Sequence, residues 1–252
     1  MFALQTYLND VLIPVAHRLW QCAEEEGLAW RVAVNQDDRR LDLTSAWLHV
    51  LEPLGENATL VKSNNVHELR AYNLMARMFD ADYIIFLQDD DIPPHDCDWL
   101  RRGLRPLLMD SKAGAVGMRV GVLGNERSST SNLCGADGIS TARYVSQVDL
   151  APLIVRQRAF LDVGGFDTSH TAAGLPGIGM DFFLSCQLWK GGWHVLHVPT
   201  RQHEFVPRVL SKELQARANA SVTLGRSVRN SQGGRRDIQA QRIRSLLRRV
   251  FG

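Results

Sequence analysis

The first 204 or so residues read as an α/β protein, a mostly parallel sheet flanked by helices. Three observations predict this. Short apolar runs alternate with stretches of helical spacing from residue 1 to residue 87. One run, Tyr83-Ile84-Ile85-Phe86-Leu87, is continuously apolar, as strands buried on both faces of a parallel sheet are. No internal repeat or low-complexity stretch competes with that rhythm.

The elements follow in order. Met1–Tyr7 is a first strand, and Asp10–Glu26 a helix with Val11, Val15, Leu19 and Cys22 on one stripe. Arg31–Val34 is a second strand, leading into Gln36-Asp37-Asp38-Arg39-Arg40. Thr44–Leu54 reads as a helix and Thr59–Lys62 as a third strand. Val66–Phe79 has helical spacing through Leu69, Tyr72, Ala76 and Phe79, before the Tyr83–Leu87 strand. After Pro93-Pro94 come a helix over Trp99–Met109, a strand over Ala115–Val122 and a polar loop over Gly124–Arg143. Leu153–Arg156 is another strand, and Asp181–Trp189 a helix closed by Gly191-Gly192.

Charge separates the chain into two parts. From Phe205 to Gly252 there are eleven Lys or Arg against Glu213 and Asp237, a balance of +9; the whole chain is +2, which leaves −7 on residues 1–204. Within that basic extension Ile243, Leu246, Leu247 and Val250 recur at helical spacing beside Arg242, Arg244, Arg248 and Arg249. Such a helix suits peripheral contact with an anionic membrane surface, or packing on the body or on a partner subunit. Aromatic residues are nearly absent from the extension, which argues against nucleic-acid binding. The N-terminus has neither the basic start nor the apolar stretch of a signal peptide, and no apolar run is long enough to span a bilayer. Cys22, Cys97, Cys134 and Cys186 lie far apart without a CxxC pair, so reduced thiols and a cytoplasmic location are expected.

The chemistry concentrates in FLQDDDIPP. A buried strand ends in Asp89-Asp90-Asp91, and ligands of open α/β sheets sit beyond the carboxyl ends of strands. Three adjacent carboxylates repel unless a cation neutralises them, and hard oxygen donors select Mn²⁺ or Mg²⁺. Alternation points Asp89 and Asp91 to the same side. The alternative is a solvated acidic turn.

The block NNVHELRAYNLMARMFDADYIIFLQDDDIPP resembles the donor half of family-2 type glycosyltransferases with the GT-A fold. In that family a helix with an Arg-Asn pair leads through a strand into a DxD motif; Arg70 and Asn73 lie on the helix here, and Asp89-Asp90-Asp91 match the motif. The resemblance implies Asp91 as metal ligand, Asp89 as contact to ribose or metal, and Asp90 on the nucleotide side. Asn73 is placed by the resemblance against the nucleotide, and Arg70 either stabilises the diphosphate charge or is a solvated helix arginine. VAVNQDD resembles the second strand and its aspartate turn, which implies that Asp37 and Asp38 meet the base or ribose; Gln5-Thr6-Tyr7 resembles the end of the first strand, which adds Thr6. The block LIVRQRAFLDVGGFDTS, followed by GIGMDFFLSCQLWKGGWHVLHVP, resembles the acceptor module, with Asp167 in its GGFD and Asp181 in the position of the general base. Met180 replaces the usual glutamate before that base. Taken without the family, Asp181 reads as a helix N-cap. His203 fits the late histidine that joins the metal shell.

The resemblance therefore implies a GT-A domain over 1–204, with a nucleotide-sugar half over 1–95, an acceptor half over 96–204, and a basic extension over 205–252. It implies metal-dependent transfer, with inversion, of a sugar from a nucleotide-sugar donor to a hydroxyl on a glycan, a lipid-linked molecule or a small molecule. The processive QxxRW signature is missing, which favours single addition. Two rival functions remain: nucleotidyl or phosphoryl transfer on a similar scaffold, and a non-catalytic sugar-nucleotide-binding module.

Overall fold

The computed structural model describes residues 1–6, 12–37, 43–89, 92–94, 96–123, 126–129, 142–150, 152–169, 171, 177 and 179–199. All of them belong to the first of two units of the chain, Met1–Val206. The basic extension, with its expected helix, lies outside the described residues.

The first half of the sheet follows the order its pattern predicts. β1 (Phe2–Thr6), α1 (Leu12–Glu25), β2 (Val32–Gln36), α2 (Thr44–Leu51), β3 (Ala58–Lys62), α3 (His67–Met75) and β4 (Tyr83–Gln88) follow in order, with a 3-10 stretch over Glu52–Asn57 where one continuous helix was expected. Pro53 and Gly55 account for that break: proline removes a backbone donor, and Gly55 takes a positive φ of 55°. β1, β2, β3 and β4 pair in parallel, with β1 between β2 and β4.

The second half departs more from expectation. α4 (Asp98–Met109) is where it was predicted, but the single strand expected over Ala115–Val122 is two, β5 (Ala113–Gly117) and β6 (Val120–Leu123). The chain changes sheets between them: β5 stays in the main sheet, whereas β6 pairs with β7 (Glu126–Ser129) and β9 (Gln147–Val148) in a smaller one. β7 falls in the segment expected to be loop, and β8 (Arg143–Tyr144) begins at that segment's last residue. β10 (Leu153–Arg156), a short unpredicted helix α5 (Gln157–Asp162), α6 (Met180–Lys190) and β11 (His194–His197) complete the described elements.

Among the described residues eight strands form one mixed sheet in the order β3-β2-β1-β4-β10-β5-β11-β8. The period-2 alternation of β4 shows how both faces are filled. Ile85 and Leu87 join the core with Leu12, Leu19, Trp47, Trp99 and Leu104 of α1, α2 and α4. Ile84 and Phe86 join the opposite core with Tyr72, Phe160, Met180 and Leu184 of α3, α5 and α6. Each fully buried apolar side chain of this size contributes about 1.5–3 kcal/mol, so an unbroken apolar strand is what a two-faced sheet demands.

Cys22 of α1 and Cys97, just ahead of α4, form a disulfide on the first of these faces, which overturns the expectation of reduced thiols. The sequence hid it because the partners are 75 residues apart and meet only once α1 and α4 cover the same side of the sheet. Cys186 is free and buried. No helix among the described residues is long and apolar enough to cross a membrane.

Candidate active site

The strand directions decide where chemistry can assemble. β1, β2 and β4 are parallel, so their carboxyl ends at Thr6, Gln36 and Gln88 lie along one edge of the sheet. β10 runs antiparallel to β4 with Leu153 opposite Phe86, so the chain entering β10 arrives at that same edge, beside Leu87 and Gln88. Asp149 and Leu150 belong to this entering segment.

At the donor-side corner Thr6 is buried, and its hydroxyl donates to the Asn35 carbonyl at 3.2 Å. Asp37 is fully buried and its carboxylate is saturated. Oδ1 accepts from the Ser63 hydroxyl at 2.6 Å and the Val66 N–H at 2.9 Å; Oδ2 accepts from the His67 N–H at 2.6 Å and the Gln5 amide at 3.4 Å. Asn35 ties the corner together, donating to Gln5 Oε1 at 2.8 Å and Ser63 Oγ at 2.9 Å. These bonds hold a turn in which Asn65 and His67 have φ of 57° and 60°, a left-handed conformation that side chains other than glycine adopt at a cost. Asp37 thus holds the entry to α3. Asp38 lies outside the described residues.

Arg70 and Asn73 reach across from α3 to the segment over residues 166–171. The Arg70 guanidinium donates to the Thr171 carbonyl at 2.7 Å. Asn73 reads the backbone of Phe166 on both sides, donating to its carbonyl at 2.7 Å and accepting its N–H at 2.9 Å. Gly165 is required there: its φ is 77°, and a Cβ on it would run into Asn73 Oδ1. The Arg-Asn pair therefore fastens the GGFD turn to α3. Asp167 accepts the Ser169 N–H at 2.8 Å, a local turn bond.

Asp89 stands half-buried in the turn immediately after β4. Asp90, Asp91 and His203 lie outside the described residues, and among the described residues no group of three His, Cys, Asp or Glu is placed to hold a metal ion. His197, the other histidine of that region, is buried at the end of β11, and burial lowers its pKa to about 4.

Asp181 sits in the first turn of α6, whose N-cap is Gly179, so the N-cap reading of Asp181 is not what is found. Its Oδ1 accepts the Phe182 N–H at 2.8 Å and its Oδ2 the Leu150 N–H at 3.0 Å. The second bond brings the Asp181 carboxyl to the segment that enters β10, hence to the edge that carries Asp89. A helix N-terminus favours the ionised form of an acid. Instead burial, then the hydrogen bond and charge of Asp149, outweigh the two N–H donors and raise its pKa to about 7.

Asp149, Gln5, Asn35 and Ser63 had not been singled out from the sequence. Asp149 carried a usable signal, a lone acid in the apolar run Val148-Asp149-Leu150-Ala151 just ahead of a strand. The others are ordinary polar residues whose roles arise from strand register, Gln5 lying opposite Asn35.

No family model matches the chain, and no curated protein matches it by sequence. Solved structures do match by fold. One is the mannosyltransferase PcManGT from Pyrobaculum calidifontis in complex with GDP-Man and Mn²⁺, with a TM-score of 0.55 at 16% identity over 83% of this chain and 58% of that one. The chain's mixed α/β sheet flanked by helices is similar in fold to that of this mannosyltransferase. It spans less than two thirds of the mannosyltransferase's length.

Proposed function

We propose that this protein transfers a sugar from a nucleotide-sugar donor to a hydroxyl acceptor, with inversion at the anomeric carbon and with Asp181 as general base. The observation that carries the reading is the Asp181 carboxyl, a partly buried acid whose pKa is raised to about 7, at the sheet edge where β4 delivers Asp89. The likeness in fold to a mannosyltransferase bound to GDP-Man and Mn²⁺ supports the donor class and makes GDP-mannose the first donor to try.

The chain's own residues divide the work. Asp181 accepts the proton of the acceptor hydroxyl as its oxygen attacks the anomeric carbon from the face opposite the diphosphate. Arg70 and Asn73 hold the GGFD turn that shapes the acceptor side, and the Asp37 corner fixes α3, from which both reach. Asp89 contributes a hard oxygen donor of the kind Mn²⁺ or Mg²⁺ prefers, and Asp91 and His203 would complete the set. Such an ion, when bound, offsets the charge that develops on the departing diphosphate.

Replacing Asp181 with Asn tests the assignment. Release of nucleoside diphosphate should fall by about 10²–10⁴-fold, the usual worth of a general base, while binding of the nucleotide sugar with Mn²⁺ measured by calorimetry persists. Undiminished turnover would refute the base. Release of pyrophosphate or phosphate by the unaltered chain would point to nucleotidyl or phosphoryl transfer, and donor binding without any turnover to a binding module.

A further inference from the structure

Two carboxyl groups meet at one backbone donor. The Leu150 N–H lies 3.0 Å from Asp149 Oδ1 and 3.0 Å from Asp181 Oδ2, so a single amide holds both acids side by side. The start of α6 does not depend on this pairing. α6 starts from Gly179, and the other Asp181 oxygen already accepts the Phe182 N–H. Two acids placed together in a largely buried position repel when both are ionised, which is an arrangement that favours taking up a proton.

We propose that Asp149 is a positioning residue for Asp181: it holds the Asp181 carboxyl on the Leu150 amide and steers the acceptor's proton onto it. For its chemistry the proposal rests on the transferase reading above. The acceptor O–H bond breaks and its proton goes to Asp181. The acceptor oxygen bonds to the anomeric carbon while the bond from that carbon to the diphosphate oxygen breaks, the electron pair leaving with the diphosphate. Before the step two carboxylates face each other. After it a neutral Asp181 donates its new hydrogen to a charged Asp149, and the repulsion between them is relieved.

Among the described residues of the elements packed most closely on α6, Asp149 is the acid partner. Of the elements packed against α6, β5 carries no ionisable side chain, and β9 offers Gln147, whose amide donates to Cys186. β11 carries His194, bonded to Asp110 beyond the far end of its strand, and His197, which burial keeps neutral. α6 itself adds Cys186, whose thiol burial pushes up, and Lys190 at its opposite end.

Carbon-13 NMR of the full chain with labelled aspartate carboxyls tests this without any substrate. One carboxyl should titrate near pH 7, and its signal should vanish in Asp181→Asn. In Asp149→Asn, whose amide oxygen can still accept the Leu150 N–H, the midpoint should fall by at least about one pH unit. Asp149→Ser, which also removes the charge, should give the same fall should the Asn variant fold poorly. In steady-state transfer from whichever donor is turned over, the acid limb of kcat should move by the same amount. A midpoint unmoved in both Asp149 variants overturns the proposal while leaving the transferase reading intact; no carboxyl titrating near neutrality overturns the proposal and also removes the observation that carries that reading. Full turnover by Asp181→Asn breaks that reading instead, and the titration of the pair stands apart from it.

Discussion

Asp37 and Asp181 stand at opposite corners of one sheet edge, both largely removed from water, and the protein treats them in opposite ways. Asp37 accepts four hydrogen bonds, two on each oxygen, and faces no other acid in that set. Asp181 accepts one N–H on each oxygen and faces Asp149. A carboxylate held by four donors serves as a fixed part of the scaffold. One that is underprovided with donors and placed beside a like charge is held ready to take a proton. Burial alone does not separate structural from chemical acids; the inventory of donors does.

The widest separation between the two corners should appear in stability. Asp37→Ala strands the Val66 and His67 N–H groups and the Ser63 and Gln5 donors, and should cost at least about 3 kcal/mol in urea unfolding. Asp181→Asn should cost nothing at pH 8 and add stability, because it removes a buried charge that repels Asp149. The pH dependence follows by linkage. A folded pKa of about 7 exceeds the unfolded value, so the native state holds a proton that the unfolded chain has released. Stability contributed by Asp181 is full at acid pH and is lost as pH rises toward 7 and through it, and the Asn variant should lack that slope. Equal losses in the two variants would erase the distinction drawn here.

Asn73 joins the two corners and sharpens the comparison at the next level. Loss of its paired bonds to Phe166 in Asn73→Ala should cost about 2 kcal/mol and loosen the GGFD turn. Transfer should then weaken with donor affinity unchanged. The family resemblance places Asn73 against the nucleotide, and a fall in donor affinity instead would favour that role.

How far the sequence could be read follows from where each signal comes from. β4 and its acidic end were legible because an unbroken apolar strand and adjacent carboxylates are local facts. Asp181 was legible through its motif, but its raised pKa was not. That depends on Asp149, 32 residues away in sequence and joined to it through the Leu150 amide. Asn73 was recognised through its motif and given a ligand, whereas it bonds to the Phe166 backbone and Arg70 to the Thr171 carbonyl. The split of β5 from β6 also escaped, since Ala115–Val122 is continuously strand-like and only the change of sheet after Gly117 divides it. The disulfide escaped for the same reason, being a product of packing.

A third acid provides the reference for both corners, and the smallest effect. Asp110 lies at the opposite edge of the sheet, ahead of β5, with Oδ2 2.7 Å from His194 Nδ1 and the Lys112 N–H 2.9 Å from Oδ1. Burial pushes its pKa up, but the His194 bond and charge, the Lys112 N–H and the Tyr144 hydroxyl together pull it below the usual carboxylate range. The sign is therefore opposite to that of Asp181: its contribution is present above the unfolded pKa and is lost as pH falls through the folded one. The site is a quarter exposed, with 26% of the side chain open to water, so solvent screening keeps Asp110→Asn to under about 1 kcal/mol at neutral pH. Thermal melts across the acid range should show that variant losing less stability on acidification than the unaltered chain, while Asp181→Asn loses more on acidification relative to its own value at neutral pH. If both variants bend the curve the same way, the donor inventory around each carboxyl is not what sets its proton affinity.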